Sequence, residues 1–192
     1  MKIAVLGATG WVGSHIVAEA ITRNHQVIAL VRDLNKAIVE KTTVREFDLT
    51  KDSNFMDVVV DADVIIASIG GRAAGNHEMV AQTAQRLLKA LDKSHKRLLW
   101  VGGAGSLEVA PGVTLSSTAE FPSAYKDEAL AQGEALNVFK HNQYVVNWIY
   151  FSPAALLYPG GSEGEYRIGG DQFFTNEQGE SKISVSDFAK AM

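Results

Sequence analysis

Short apolar runs recur along the chain at residues 2–6, 26–31, 44–47, 64–67, 98–101 and 145–151, and each has the length of a strand. The first two are apolar almost throughout, which predicts strands covered on both faces. Between them, Val12, Ile16, Val17, Ala20 and Ile21 fall at helical spacing over residues 11–23. Asn24 and His25 break that pattern, so strand, helix and strand close a βαβ unit within about 30 residues. A second helix is predicted over 78–91, with Val80, Ala84, Leu87, Leu88 and Leu91 as its apolar stripe and Gln82, Gln85, Arg86 and Lys89 facing water. A third covers 125–140, with Ala129, Leu130, Leu136 and Phe139 as core contacts and Gly133 as a weak point or a close approach. Strands that alternate with helices in this way predict an α/β fold, a doubly wound and mostly parallel sheet with helices on both faces.

The pattern changes after residue 160. Gly160, Gly161, Gly164, Gly169, Gly170 and Gly179 punctuate short segments up to 182, which reads as a hairpin-like excursion on the substrate side, carried on the main sheet. Residues 184–192 read as a capped helix that stops almost as soon as it starts, so the chain is expected to be shortened at its C-terminus. No repeat or low-complexity linker interrupts residues 1–192, and one domain is expected.

Composition removes several function classes. A chain of 192 residues, 46% hydrophobic, is long enough for one sizeable core. With 18 basic against 22 acidic side chains and a net charge of −4, it lacks the positive balance and the clusters that nucleic acid requires. It has no cysteine, which excludes disulfides and thiolate chemistry and fits a reducing, cytoplasmic setting. No stretch approaches the roughly 20 apolar residues of a membrane span, so a soluble protein is expected. His15, His25, His77, His95 and His141 are scattered without metal-ligand spacing, and no metal is expected.

The chemistry begins with Gly7-Ala8-Thr9-Gly10-Trp11-Val12-Gly13. A strand that ends in a glycine turn and feeds a helix offers backbone N–H groups and the positive helix end to a phosphate. Gly7 would allow the tight turn, Gly10 the close approach of a pyrophosphate, and Gly13 the close packing of helix on strand. The dinucleotide cradle therefore comprises Gly7, Thr9, Gly10, Trp11, Val12 and Gly13, giving a Rossmann-type fold. Trp11 packs on the cofactor or covers the core edge. At the end of the second strand stands Arg32, followed by Asp33. A guanidinium there suits a ribose 2′-phosphate and favours NADP, with NAD as the alternative and a solvated charge as the bland role.

GATGWVGSHIV after an N-terminal strand resembles the atypical short-chain dehydrogenase/reductase family, and FDLT, VGGAGSL, FSPAALLYPG and YRIGGDQ resemble its NADH-flavin reductase-like, NAD(P)H-binding branch. The resemblance implies adenine recognition by Asp48 and the adjoining backbone at Leu49, although Asp48 also suits a turn or cap. Ser68, Ile69 and Gly70 should line the ribose side of the crevice beyond the fourth strand, or form an ordinary glycine turn. Pro153 and its neighbours are implied at the nicotinamide end, where a proline also suits a strand end.

The wider family's proton-donating set is a Ser after the fifth strand and a Tyr-x-x-x-Lys on the next helix. Ser106 and Tyr125 stand at matching places and are the candidate catalytic residues, but four residues after Tyr125 comes Ala129. Lys126 is adjacent in sequence and points about 100° away on a helix. An alcohol dehydrogenase or epimerase mechanism is therefore not expected. Reduction of a flavin, FMN or FAD as substrate, or of a quinone-like small molecule needs little more than two aligned rings. The rivals are a non-catalytic NAD(P)-binding sensor and, below it, a nucleotide-sugar epimerase or dehydratase. The protein is expected as a monomer or homodimer.

Overall fold

The computed structural model describes residues 1–34, 41–49, 51 and 54–192. Thr50 of the FDLT segment lies outside the described residues. In chain order the elements are β1 (Lys2–Leu6), α1 (Trp11–Thr22), β2 (Gln26–Val31), β3 (Thr43–Glu46), the short α2 (Phe55–Val58), β4 (Val64–Ala67) and α3 (Glu78–Ala90). They continue with β5 (Arg97–Val101), β6 (Glu108–Ala110), β7 (Val113–Thr114), α4 (Ser123–His141), β8 (Asn147–Phe151), β9 (Leu156–Tyr158), β10 (Lys182–Ser184) and α5 (Val185–Ala191).

Six strands form one parallel sheet in the order β3-β2-β1-β4-β5-β8. Chain order reverses between β1 and β4, the position where ligands enter sheets of this kind. Alternate residues of a strand serve opposite faces. Ala4 and Leu6 join the core under α3 and α4, with Leu87, Leu88, Trp100 and Phe139. Ile3 and Val5 join the core under α1 and α5, with Ile16, Val17 and Phe188. That division explains why β1 and β2 read as uninterrupted apolar runs, and it bears out helices on both faces. Among the described residues no helix is long and apolar enough to cross a membrane.

The predicted apolar stripe of α3 is buried as expected, while α4 departs from its reading. The helix starts two residues earlier, behind Pro122, and Leu130 is 53% exposed whereas Gln132 is only 6% exposed. A Cβ on Gly133 would meet nothing within 4 Å, so that glycine marks no close approach. The strand predicted from residue 145 starts at Asn147. Val145 is instead tied back to the loop before β5, its amide donating to Asp92 (2.8 Å) and its carbonyl accepting from Lys93 N–H (2.9 Å).

The excursion is not a hairpin on the main sheet. β9 and β10 flank it and pair in parallel, apart from the six strands. Between them the chain makes one bridge, Gln172 against Glu108, next to the separate antiparallel pair β6 and β7. Asp187 in the first turn of α5 anchors its start: the buried carboxylate accepts from Ser162 Oγ (2.6 Å), Glu163 N–H (2.8 Å) and Ser184 Oγ (3.0 Å). The expected cap of α5 is present, Ser184 Oγ accepting from Asp187 N–H at 3.1 Å.

Candidate functional site

The turn between β1 and α1 needs its glycines for reasons the geometry makes explicit. Gly7 has φ +82°, a region L side chains rarely adopt, and a Cβ there would lie 2.2 Å from the Ser68 carbonyl oxygen. A Cβ on Gly13 would lie 2.1 Å from the Gly7 carbonyl oxygen, so helix and strand meet backbone to backbone. Gly10 donates its N–H to that same oxygen at 2.9 Å and, as the N-cap of α1, supplies no side chain. The first turn of α1 also contains no acid. The positive end of the helix is thus left for an anion, and the cradle fits the pyrophosphate of a nicotinamide dinucleotide. Trp11, beside it, is 48% exposed.

The remaining expected cofactor residues follow along the carboxyl ends of the strands. Arg32 is exposed just past β2. Asp48 closes a turn with its carbonyl, which accepts from Lys51 N–H at 3.1 Å, and Lys51 Nζ lies 3.9 Å from its carboxylate. Leu49 packs against the core under α3 and offers its carbonyl to Arg86. Past β4, Ser68 N–H donates to Leu6 at 2.9 Å, and Ile69 accepts from Gln132 Nε2 at 2.8 Å. Gly70 lies where a Cβ would sit 3.0 Å from Glu128 Oε1.

Three polar residues that the sequence reading missed organise the next part of the crevice. Glu128 reaches from α4 to accept from Arg72 N–H (2.8 Å) and Gly71 N–H (3.0 Å), fixing the loop after β4. Gln132, one turn further, donates to Glu128 at 3.2 Å and to Ile69, and accepts from the buried Trp100 Nε1 at 3.0 Å. Tyr150 on β8 donates its hydroxyl to the Gln132 carbonyl (2.9 Å) and accepts from Gly103 N–H (3.2 Å). Burial pushes this phenol up to about 12, against the partly offsetting Gly103 amide and Ser106 hydroxyl. A group so held is a poor proton donor near neutral pH. One signal for Gln132 was legible: it falls in phase with Ala129, Ala135 and Phe139 on the buried face of α4, where a polar side chain needs partners.

Ser106 and Tyr125 lie on neighbouring elements, and among the described residues no hydrogen bond joins them. Ser106 Oγ donates to the Gly103 carbonyl at 3.2 Å in the 3₁₀ turn Ala104–Ser106. Tyr125 stands in the first turn of α4, 55% exposed. Lys126 is turned away, its ammonium on the Ser116 carbonyl and 5.7 Å from the centre of the Phe121 ring. Ala129 packs so closely that a Cβ on Gly105 would sit 2.7 Å from its own Cβ, with Ser116 Cβ at 3.2 Å. A lysine at 129 has no space. Ala129→Lys is expected to destabilise the fold by about 1–3 kcal/mol and to confer no alcohol oxidation, as urea unfolding and an assay with simple alcohols would record.

Beside β8 a cleft of about 1070 Å³ opens, walled at the strand ends by Ser106, Tyr150, Ser152 and Pro153 and across from them by Tyr166 and Phe174. Its lower part runs along the outer edge of β8 past Trp148 and Ile149. Only the upper end adjoins the crevice where the acceptor side is expected.

A model of the NAD(P)H-binding family matches residues 7–192. The uncharacterized protein YwnB of Bacillus subtilis (strain 168) is 38% identical over 200 residues, covering all of this chain and 90% of the relative. Among solved structures, an NADH-flavin reductase candidate from Streptococcus pneumoniae TIGR4 superposes with a TM-score of 0.90 at 33% identity, over 100% of this chain and 90% of the other. An exported-protein candidate from Burkholderia pseudomallei superposes with a TM-score of 0.88 at 38% identity, with the same coverages of 100% and 90%. With the glycine cradle at the switch point of the sheet and a family match over nearly its whole length, the chain belongs to the NAD(P)H-binding family, in the atypical branch of the short-chain dehydrogenases/reductases.

Proposed function

We propose that the protein is an NADPH-preferring reductase of a planar two-electron acceptor, a flavin or a quinone-like ring. The observation that carries this reading is the contact of Ala129 with Gly105, which leaves a complete dinucleotide cradle next to an acceptor side without a lysine-activated tyrosine. When bound, the cofactor supplies a hydride from its reduced nicotinamide. The chain's own part is to hold and orient. The first turn of α1 takes the pyrophosphate, Arg32 takes the 2′-phosphate, Asp48 and Leu49 border the adenine, and Ser68 to Gly70 border the ribose. Ser106 and Pro153 flank the nicotinamide end. A reduced flavin or quinone anion takes its proton from water, so the missing acid/base pair costs little. The name of the Streptococcus pneumoniae relative, an NADH-flavin reductase candidate, agrees with this acceptor class.

The test follows the loss of reduced-nicotinamide absorbance with NADPH or NADH and FMN, FAD or a quinone. Turnover above the protein-free rate is expected, faster with NADPH. Arg32→Glu should lower NADPH affinity by about 10- to 100-fold, the worth of a charge-assisted contact, and change NADH affinity far less. Tight cofactor binding with no turnover on any flavin or quinone would replace this reading with the non-catalytic sensor.

A further inference from the structure

Past β4 the chain turns through Arg72–Ala74, and the Arg72 guanidinium comes to lie over the ring of Tyr125, 5.1 Å from its centre. The two residues belong to different elements, and Glu128 ties the Arg72 backbone to the helix that carries Tyr125. It sits on α4 three residues after Tyr125, and its carboxylate accepts from the Arg72 and Gly71 amides at 2.8 and 3.0 Å. The same carboxylate also receives Gln132 Nε2 at 3.2 Å and faces His77 Nε2 at 3.4 Å. Its oxygens are therefore committed to backbone and neighbours. Among the described residues, no carboxylate lies within ion-pair distance of the Arg72 guanidinium. Both the arginine and Tyr125 are exposed.

A guanidinium stacked on an aromatic ring spends its face on the ring and keeps the N–H groups along its edge for a partner in its own plane. The planar fork matches the paired oxygens of a phosphate or a carboxylate. The position also matters. Arg32 and the first turn of α1 lie on the β1–β2 side of the switch point, whereas Arg72 lies past β4, beside the loop of Ser68 to Gly70. Arg72 is thus a second cation without an ion-pair partner, across the switch point from the groups assigned to the cofactor's phosphates.

We propose that Arg72 and Tyr125 form an acceptor subsite for an anionic substituent, a phosphate or carboxylate, carried on a planar ring. This rests on the reductase reading above and narrows it: FMN should be preferred over riboflavin, which has the same ring system and no phosphate.

The test measures equilibrium binding of FMN and riboflavin by quenching of flavin fluorescence in protein saturated with NADP⁺, and NADPH binding separately. It uses the unaltered protein, Arg72→Ala and Arg72→Lys. FMN is expected to bind about tenfold tighter than riboflavin. Arg72→Ala should abolish that difference, Arg72→Lys should keep part of it, and NADPH affinity should move less than about twofold in both. Equal binding of the two flavins by the unaltered protein would overturn the proposal, as would an undiminished preference in Arg72→Ala. A parallel loss of NADPH affinity would overturn it by assigning the cation to the cofactor. None of these readings needs turnover, so failure of the reductase assignment, seen as absent NADPH oxidation, is registered separately.

Discussion

Gly13→Ala is expected to abolish NAD(P)H binding in the micromolar range and to lower the unfolding free energy by about 2–4 kcal/mol. The added methyl carbon would lie 2.1 Å from the Gly7 carbonyl oxygen and 2.9 Å from its carbon, and both of these are backbone atoms. No side-chain rotation relieves such a contact. The start of α1 must move away from the end of β1, and the first-turn amides proposed to meet the pyrophosphate move with it. Gly7 offers no slack, since it is pinned against the Ser68 carbonyl and sits at φ +82°. Gly133→Ala is the matched control: that glycine is inside α4 with nothing within 4 Å of the new methyl group. It should raise stability by about 0.5–1 kcal/mol through helix propensity. Urea unfolding and a fluorescence titration with NADPH on the two variants separate the effects. Retained NADPH affinity in Gly13→Ala would mean that the cradle tolerates a shifted helix and does not hold the pyrophosphate as described.

The contrast between these two glycines shows what the sequence could and could not convey. Gly7, Gly10 and Gly13 were legible because a strand, a tight turn and a helix follow each other without interruption, and local geometry dictates where a Cβ cannot go. The parallel sheet was legible for a similar reason: strands covered on both faces carry apolar residues at nearly every position. The network of Glu128, Gln132 and Tyr150 was not, because it joins the loop after β4 to α4, β5 and β8 through hydrogen bonds between residues distant in sequence, and the helical phase of Gln132 marks its burial but not its partners. Gln132 was even displaced in the reading by Leu130, which hydrophobicity alone assigns to the core although it projects outward. The segment between β9 and β10 failed differently. Its glycines suggested turns between paired strands, but its shape comes from anchors outside it, Asp187 at one end and Glu108 along its length.

Asp187→Ala should remove the first of those anchors and cost about 1–3 kcal/mol, because it strips the acceptor from three donors at once, the buried Ser184 hydroxyl among them. Asp187 is 2% exposed. Ser162 Oγ, Glu163 N–H and Ser184 Oγ all donate to it within 3.0 Å, and its own N–H is capped by Ser184. Lys190 Nζ donates to Ser162 Oγ at 2.6 Å, so a cation stands one bond away. Burial alone would push this carboxyl up, yet the hydroxyl and amide donors outweigh it and hold it below the ordinary aspartate value of 3.8. In the unfolded chain the group takes up its proton first. Its contribution is therefore complete at neutral pH and is lost as pH falls past the ordinary aspartate value of 3.8 and on through the lowered native one. The unaltered protein should lose stability over that window more steeply than Asp187→Asn, which keeps one acceptor oxygen but has no charge to titrate. Limited proteolysis supplies the local readout: in Asp187→Ala, cleavage should concentrate between residues 159 and 181 before the sheet opens. Identical acid profiles for the unaltered protein and Asp187→Asn would remove the charge from the account. Global unfolding without that local cleavage would show that Asp187 supports α5 rather than the segment roofing the cleft.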